Sequence, residues 1–98
     1  MTKALVSHVG IAVKDLEKSI KVYSILTGDQ KPVIENVPSE NVKVAIFSGS
    51  DKSAGRIELV AATSAESPIA KFINKRGEGL HHICIYVDDI NSKLSELK

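Results

Sequence analysis

The sequence predicts an α+β fold of paired βαβββ modules, the second represented only by its opening βα. Three observations carry that reading. Apolar residues alternate with period two over several short segments and recur at helical spacing over others. Glycine, proline and small polar residues punctuate the boundaries. The segment that begins at His8 also recurs 74 residues later, at His82.

In chain order, Leu5 to Val13 reads as a strand with Val9, Ile11 and Val13 on one face and His8, Gly10 and Ala12 on the other. Asp15 is placed to cap a helix carrying Leu16, Ile20, Tyr23 and Leu26, and Gly28 ends it. Strands follow near Pro32 to Val37 and Val42 to Ser48, separated by the turn residues Pro38-Ser39-Glu40-Asn41. A polar loop spans 48–55, and Arg56 to Ala62 is the next strand, with Ile57 and Leu59 opposite Glu58. Ser67-Pro68 is a cap followed by a first-turn proline, opening a helix with Ile69, Phe72 and Ile73 on its apolar side. Leu80 to Val87 reads as a strand, and Asp89 opens a helix bearing Ile90, Leu94 and Leu97.

The repeat organises these elements. His8-Val9-Gly10-Ile11-Ala12-Val13-Lys14-Asp15-Leu16 aligns with His82-Ile83-Cys84-Ile85-Tyr86-Val87-Asp88-Asp89-Ile90. His, the central Ile, Val and Asp are identical, and each copy is a strand, a capping Asp and an amphipathic helix. Self-similarity at one fixed offset indicates a duplicated supersecondary unit. A single domain over 1–98 is expected, with a first module over 5–62, a linking helix and loop over 63–79, and the start of a second module from 80. The first copy continues into three strands and the second stops at its helix, so a C-terminal truncation is expected.

Composition narrows the function classes. Ninety-eight residues with 43% hydrophobic and 26% charged content suit one small globular domain. Net charge is +1 with no basic stripe, which gives no case for nucleic acid or a membrane surface. Cys84 is the single cysteine, so no internal disulfide forms. No apolar run approaches the roughly 20 residues of a membrane span, and the first residues lack a signal peptide. A cytoplasmic location is the expectation, although a removed organelle presequence would leave no trace.

His8, Glu58 and His82 all point away from the aliphatic residues of their own strands. With the aliphatic faces packed on helices, the three would converge on the opposite face. Two imidazoles and a carboxylate suit a divalent ion such as zinc, cobalt, nickel, manganese or iron. His81 is expected to face the other way, beside Ile83 and Ile85, packed or hydrogen-bonded rather than ligating; a one-residue register change would swap it with His82. Cys84 and Tyr86 share the His82 face, and Tyr23 reads as core. Lys71, Lys75 and Arg76 form either a solvated helix face or a contact for an anionic substrate tail.

The string Ser7-His8-Val9-Gly10-Ile11-Ala12-Val13-Lys14-Asp15-Leu16-Glu17 resembles the opening of vicinal-oxygen-chelate domains, the superfamily of glyoxalases, extradiol dioxygenases and antibiotic-resistance proteins. Ser67-Pro68-Ile69-Ala70-Lys71-Phe72, leading to Arg76-Gly77-Glu78-Gly79-Leu80-His81-His82-Ile83, is most similar to the methylmalonyl-CoA epimerases. The resemblance implies paired modules with a metal between them and a homodimer. His8, Glu58 and His82 match three of four family ligands; the fourth, a last-strand glutamate, would fall some 74 residues after Glu58, beyond Lys98.

By that resemblance the function is metal-dependent epimerisation of methylmalonyl-CoA, with proton abstraction at the α-carbon of an acyl-CoA through a metal-stabilised enolate. The metal could be cobalt, zinc, manganese or nickel. No catalytic base is assigned: the last-strand glutamate is missing, and the strand from Val42 offers Lys43 but no carboxylate. The alternatives are a glyoxalase-like isomerase or lyase acting on a thiol adduct and a non-catalytic small-molecule binder of the same fold. The 98-residue form is expected to be weakly active or inactive, to bind metal poorly, and to self-associate through exchanged or paired strands.

Overall fold

A computed structural model describes residues 4–49, 55–87 and 89–97. Nine strand residues, Ala4–Ala12, form β1. The chain turns at Asp15, whose carboxylate accepts the Lys18 N–H at 3.1 Å and so caps α1 (Leu16–Thr27). Gly28 ends that helix in the left-handed region, φ 78°, where a side chain would be strained. β2 (Val33–Val37) and β3 (Val42–Phe47) flank a single 3-10 turn at Pro38–Glu40, closed by Asn41 at φ 54°. β4 (Arg56–Ala62) precedes α2 (Pro68–Arg76), whose cap Ser67 is fully buried with its Oγ accepting the Ile69 N–H at 3.1 Å. β5 (Gly79–Val87) and α3 (Ile90–Leu97) complete the described elements. The polar loop expected over 48–55 lies partly outside the described residues.

The five strands make one mixed sheet in the order β2-β3-β4-β1-β5. α1 crosses over the sheet so that β1 runs parallel to β4, while β5 pairs antiparallel to β1 on its other edge. The α+β class expected from the sequence is the class adopted, and the second unit consists of β5 and α3 among the described residues. Duplication is visible in the caps: Asp89 accepts the Ser92 N–H at 3.2 Å, as Asp15 accepts that of Lys18.

Both sheet faces carry core. On one, Leu16, Ile20 and Tyr23 of α1 cover Val13, Ala45, Phe47, Leu59 and Ala61. On the other, Ile69, Phe72 and Ile73 of α2 cover Ala12, Val42, Val44 and Val60. Alternation within β4 explains the split, because Leu59 and Val60 are consecutive and necessarily face opposite ways. The face bearing His8 and Glu58 is therefore not free of helices, as the sequence pattern suggested. Its Ala12 end is filled by α2, and the polar cluster occupies the remainder.

β5 and α3 leave much apolar surface in solvent: Ile83, Ile85, Ile90, Leu94 and Leu97 are all exposed. Among the described residues no helix is long and apolar enough to cross a membrane.

Leu59 has no exposed surface, so Leu59→Ala should lower unfolding free energy by about 2–5 kcal/mol, measurable by urea denaturation.

Candidate metal centre

The geometry of the site follows from the pairing of β1 with β5. Val9 lies opposite Ile83, and these two are equivalent positions of the repeat, so a local two-fold passes through their pair. That axis relates the pair His8 and Cys84 to the pair His82 and Gly10. The histidines thus sit diagonally across adjacent strands on one face, and their Nε2 atoms are 3.1 Å apart. The rings meet edge-on, with centroids 5.2 Å apart and planes at 87°. Glu58, one strand further along on β4, brings Oε2 to 3.5 Å from His8 Nδ1.

Gly10 makes this possible. A Cβ at that position would clash with the His82 ring, so the bare backbone of β1 is the bed on which His82 reaches His8. Its repeat equivalent, Cys84, carries a side chain, half-buried, opposite His8.

Ligand atoms from His8, Glu58 and His82 all lie within 4.8 Å of one another, and all three residues are partly buried. The sequence-derived triad is therefore brought together, each member from a different strand. Nitrogen–zinc bonds are roughly 2.0–2.1 Å, so two nitrogens on one ion stand about 2.9–3.4 Å apart at octahedral to tetrahedral angles. The Nε2 separation of 3.1 Å lies inside that span. Two imidazole lone pairs at that distance repel unless a proton or a metal ion lies between them. On both counts the donor set fits a divalent cation.

Burial pushes the His82 pKa down, the neighbouring His81 and His8 rings add to that, and Glu58 pulls weakly the other way. The neutral ring, which is the ligating form, is favoured.

One expectation is corrected. His81 does not lie beside Ile83 and Ile85 on the opposite face. Between the pairs Gly10–His82 and Ile11–Leu80 the strand β5 carries one extra residue, a β-bulge at His81. The bulge swings His81 toward the ligand side, where its Nδ1 is 2.8 Å from His82 Nδ1 and its ring packs edge-on against Phe72 of α2, centroids 4.9 Å apart. The sequence held a signal for this, since His81 is polar where the alternation of Ile83, Ile85 and Val87 calls for an aliphatic residue.

Tyr23 packs in the α1 core, its ring 6.2 Å from Phe47, while Tyr86 is exposed. Lys71, Lys75 and Arg76 are exposed on α2.

The family signature of the Glyoxalase/Bleomycin resistance protein/Dioxygenase superfamily matches residues 7–98. The chain belongs to that superfamily. Among proteins similar to this superfamily member is the human mitochondrial methylmalonyl-CoA epimerase, 39% identical over 94 residues, covering 94% of this chain and 51% of that protein. The chain spans about half the length of the curated relatives it matches. The solved methylmalonyl-CoA epimerase of Mycobacterium tuberculosis superposes with a TM-score of 0.76 at 32% identity, over 94% of this chain and 61% of that one. A methylmalonyl-CoA epimerase solved in complex with methylmalonyl-CoA and NH4+ superposes with a TM-score of 0.75 at 27% identity, over 96% of this chain and 67% of that one.

Two outcomes follow for the site. Gly10→Ala should drive the His82 ring off β1, seen as loss of nuclear Overhauser contacts between the His8 and His82 rings in a chain that still folds. In the metal-free protein His82 should titrate below the ordinary imidazole value of 6.5. Because the unfolded chain then binds the proton more readily, the stability associated with neutral His82 is intact above that value and lost as pH falls through it toward the folded pKa. Urea unfolding across that range, compared with His82→Gln, reads the difference.

Proposed function

We propose that His8, Glu58 and His82 hold a divalent ion of the cobalt, zinc, manganese or nickel class, and that the protein they belong to epimerises methylmalonyl-CoA. The convergence of the three ligand atoms within 4.8 Å supports this most directly. Similarity to methylmalonyl-CoA epimerases over nearly the whole chain supports the choice of an acyl-CoA substrate. A bound divalent ion would contribute Lewis acidity toward a substrate carbonyl, making the neighbouring α-proton more acidic.

The chain's own residues supply the cradle. His8 presents its Nε2 from β1 and His82 presents its own from the neighbouring edge strand β5, Glu58 brings a carboxylate from β4, and α2 closes the hollow at the Ala12 end. Lys71, Lys75 and Arg76 are exposed on that bordering helix, where the anionic tail of an acyl-CoA would meet them. No base is assigned. Lys43 of β3 is exposed, and that strand offers no carboxylate. With three ligands in hand, weak metal binding and low activity are the reading for these 98 residues on their own. The exposed Ile83, Ile85, Leu94 and Leu97 support self-association, as a homodimer or with strands paired or exchanged between copies.

Calorimetry of the chelator-treated chain should show one divalent ion bound per chain, with affinity reduced at least about 100-fold by His8→Ala or His82→Ala. Unchanged affinity in both variants would rule out this centre. Metal-dependent incorporation of deuterium at the α-carbon of methylmalonyl-CoA tests the reaction itself. Its absence from the full-length enzyme with metal restored would remove the epimerase reading.

A further inference from the structure

The residue before each candidate ligand behaves alike in the two repeats. Between the pairs Val6–Ile85 and His8–Cys84, β1 carries one extra residue, Ser7; between Gly10–His82 and Ile11–Leu80, β5 carries one extra residue, His81. Ser7 and His81 are themselves equivalent positions of the repeat, so the bulges are a symmetric pair. Each bulged residue turns its side chain to the Nδ1 of the histidine that follows it. Ser7 Oγ is 3.3 Å from His8 Nδ1, and His81 Nδ1 is 2.8 Å from His82 Nδ1. Each histidine then has only Nε2 left to offer, and those two atoms face one another.

We propose that His81, and more weakly Ser7, are positioning residues that hold the next histidine as its Nδ1–H tautomer and so aim Nε2 at the ion. The chemistry is that of a neutral imidazole, which carries one proton and one lone pair: fixing the proton on Nδ1 leaves the lone pair on Nε2. His82 Nδ1–H donates to the Nδ1 lone pair of His81, whose own proton then sits on Nε2. The edge-on contact with Phe72 sets the plane of the His81 ring and with it the direction of that lone pair. His81 is the stronger of the two because its contact is shorter and anchored to a separate element, α2. The Ser7 hydroxyl is buried and, with an ion between the two Nε2 atoms, accepts from the His8 nitrogen that also faces Glu58. In the metal-free chain the His8 proton stays on Nε2 and is donated to His82 Nε2, so the Ser7 effect exists only with the ion bound.

The affinity arm of the test rests on the metal reading given above; the tautomer arm does not. Nitrogen-15 NMR of the metal-free full chain, at mildly alkaline pH, should show His82 with a protonated Nδ1 and His81 with an unprotonated one. His82 found as the Nε2–H form overturns the inference, whatever the metal does. His81→Phe keeps a ring against Phe72 and removes the acceptor, whereas His81→Asn replaces the acceptor nitrogen with an amide oxygen. Zinc affinity should fall about 10–100-fold in His81→Phe and recover most of that in His81→Asn. Equal affinity in wild type and His81→Phe, with both folded by circular dichroism, also overturns it. A wild type that binds no zinc yet shows the stated tautomers sinks the metal reading and leaves the hydrogen-bond assignment standing.

Discussion

The antiparallel pairing of β1 with β5 about Val9 and Ile83 is the constraint on which the rest depends. It turns a sequence repeat into a spatial two-fold, and the two-fold sets the placement of the two histidines, against which β4 brings Glu58. A slip of two residues in this register would carry His82 away from Gly10 and onto a position with a Cβ. The backbone ladder therefore does more than join two modules. It fixes the separation of the histidines by hydrogen bonds far more numerous than any the rings make for themselves.

That arrangement has an electrostatic character of its own. His81, His82 and His8 form a line of imidazoles linked by contacts between nitrogens, with the carboxylate of Glu58 nearest the far end. A proton on His82, the middle ring, would lie within hydrogen-bond reach of a ring on either side and in a half-buried setting. Burial and neighbouring rings hold His82 toward its neutral form for this reason. A cation shared between the rings, as proposed for His8, Glu58 and His82, would stabilise such a cluster without adding a proton to any one ring.

Much of this was legible in the amino-acid order. Alternation in β1 and β4, the Asp15 and Ser67 caps, Gly28 at the end of α1, and the His8–His82 repeat place the elements to within about a residue and bring His8, Glu58 and His82 to one face. Two things were not legible. The bulges break the period-two rule, and an extra residue on one strand can be seen only against its partner. The polar character of Ser7 and His81 at aliphatic positions marks them only in retrospect. The second is the placement of α2. Its apolar stripe showed that Ile69, Phe72 and Ile73 are covered, but period alone does not say which side of a sheet a helix chooses.

That choice of side has a consequence for traffic. With Ile69, Phe72 and Ile73 seated over Ala12, Val42, Val44 and Val60, the hollow is closed at that end, and Phe72 reaches from there to the imidazole line. The helix joining the two halves of the duplication thus bars approach along the sheet from the Ala12 end, and whatever reaches the three side chains must come to them from another side.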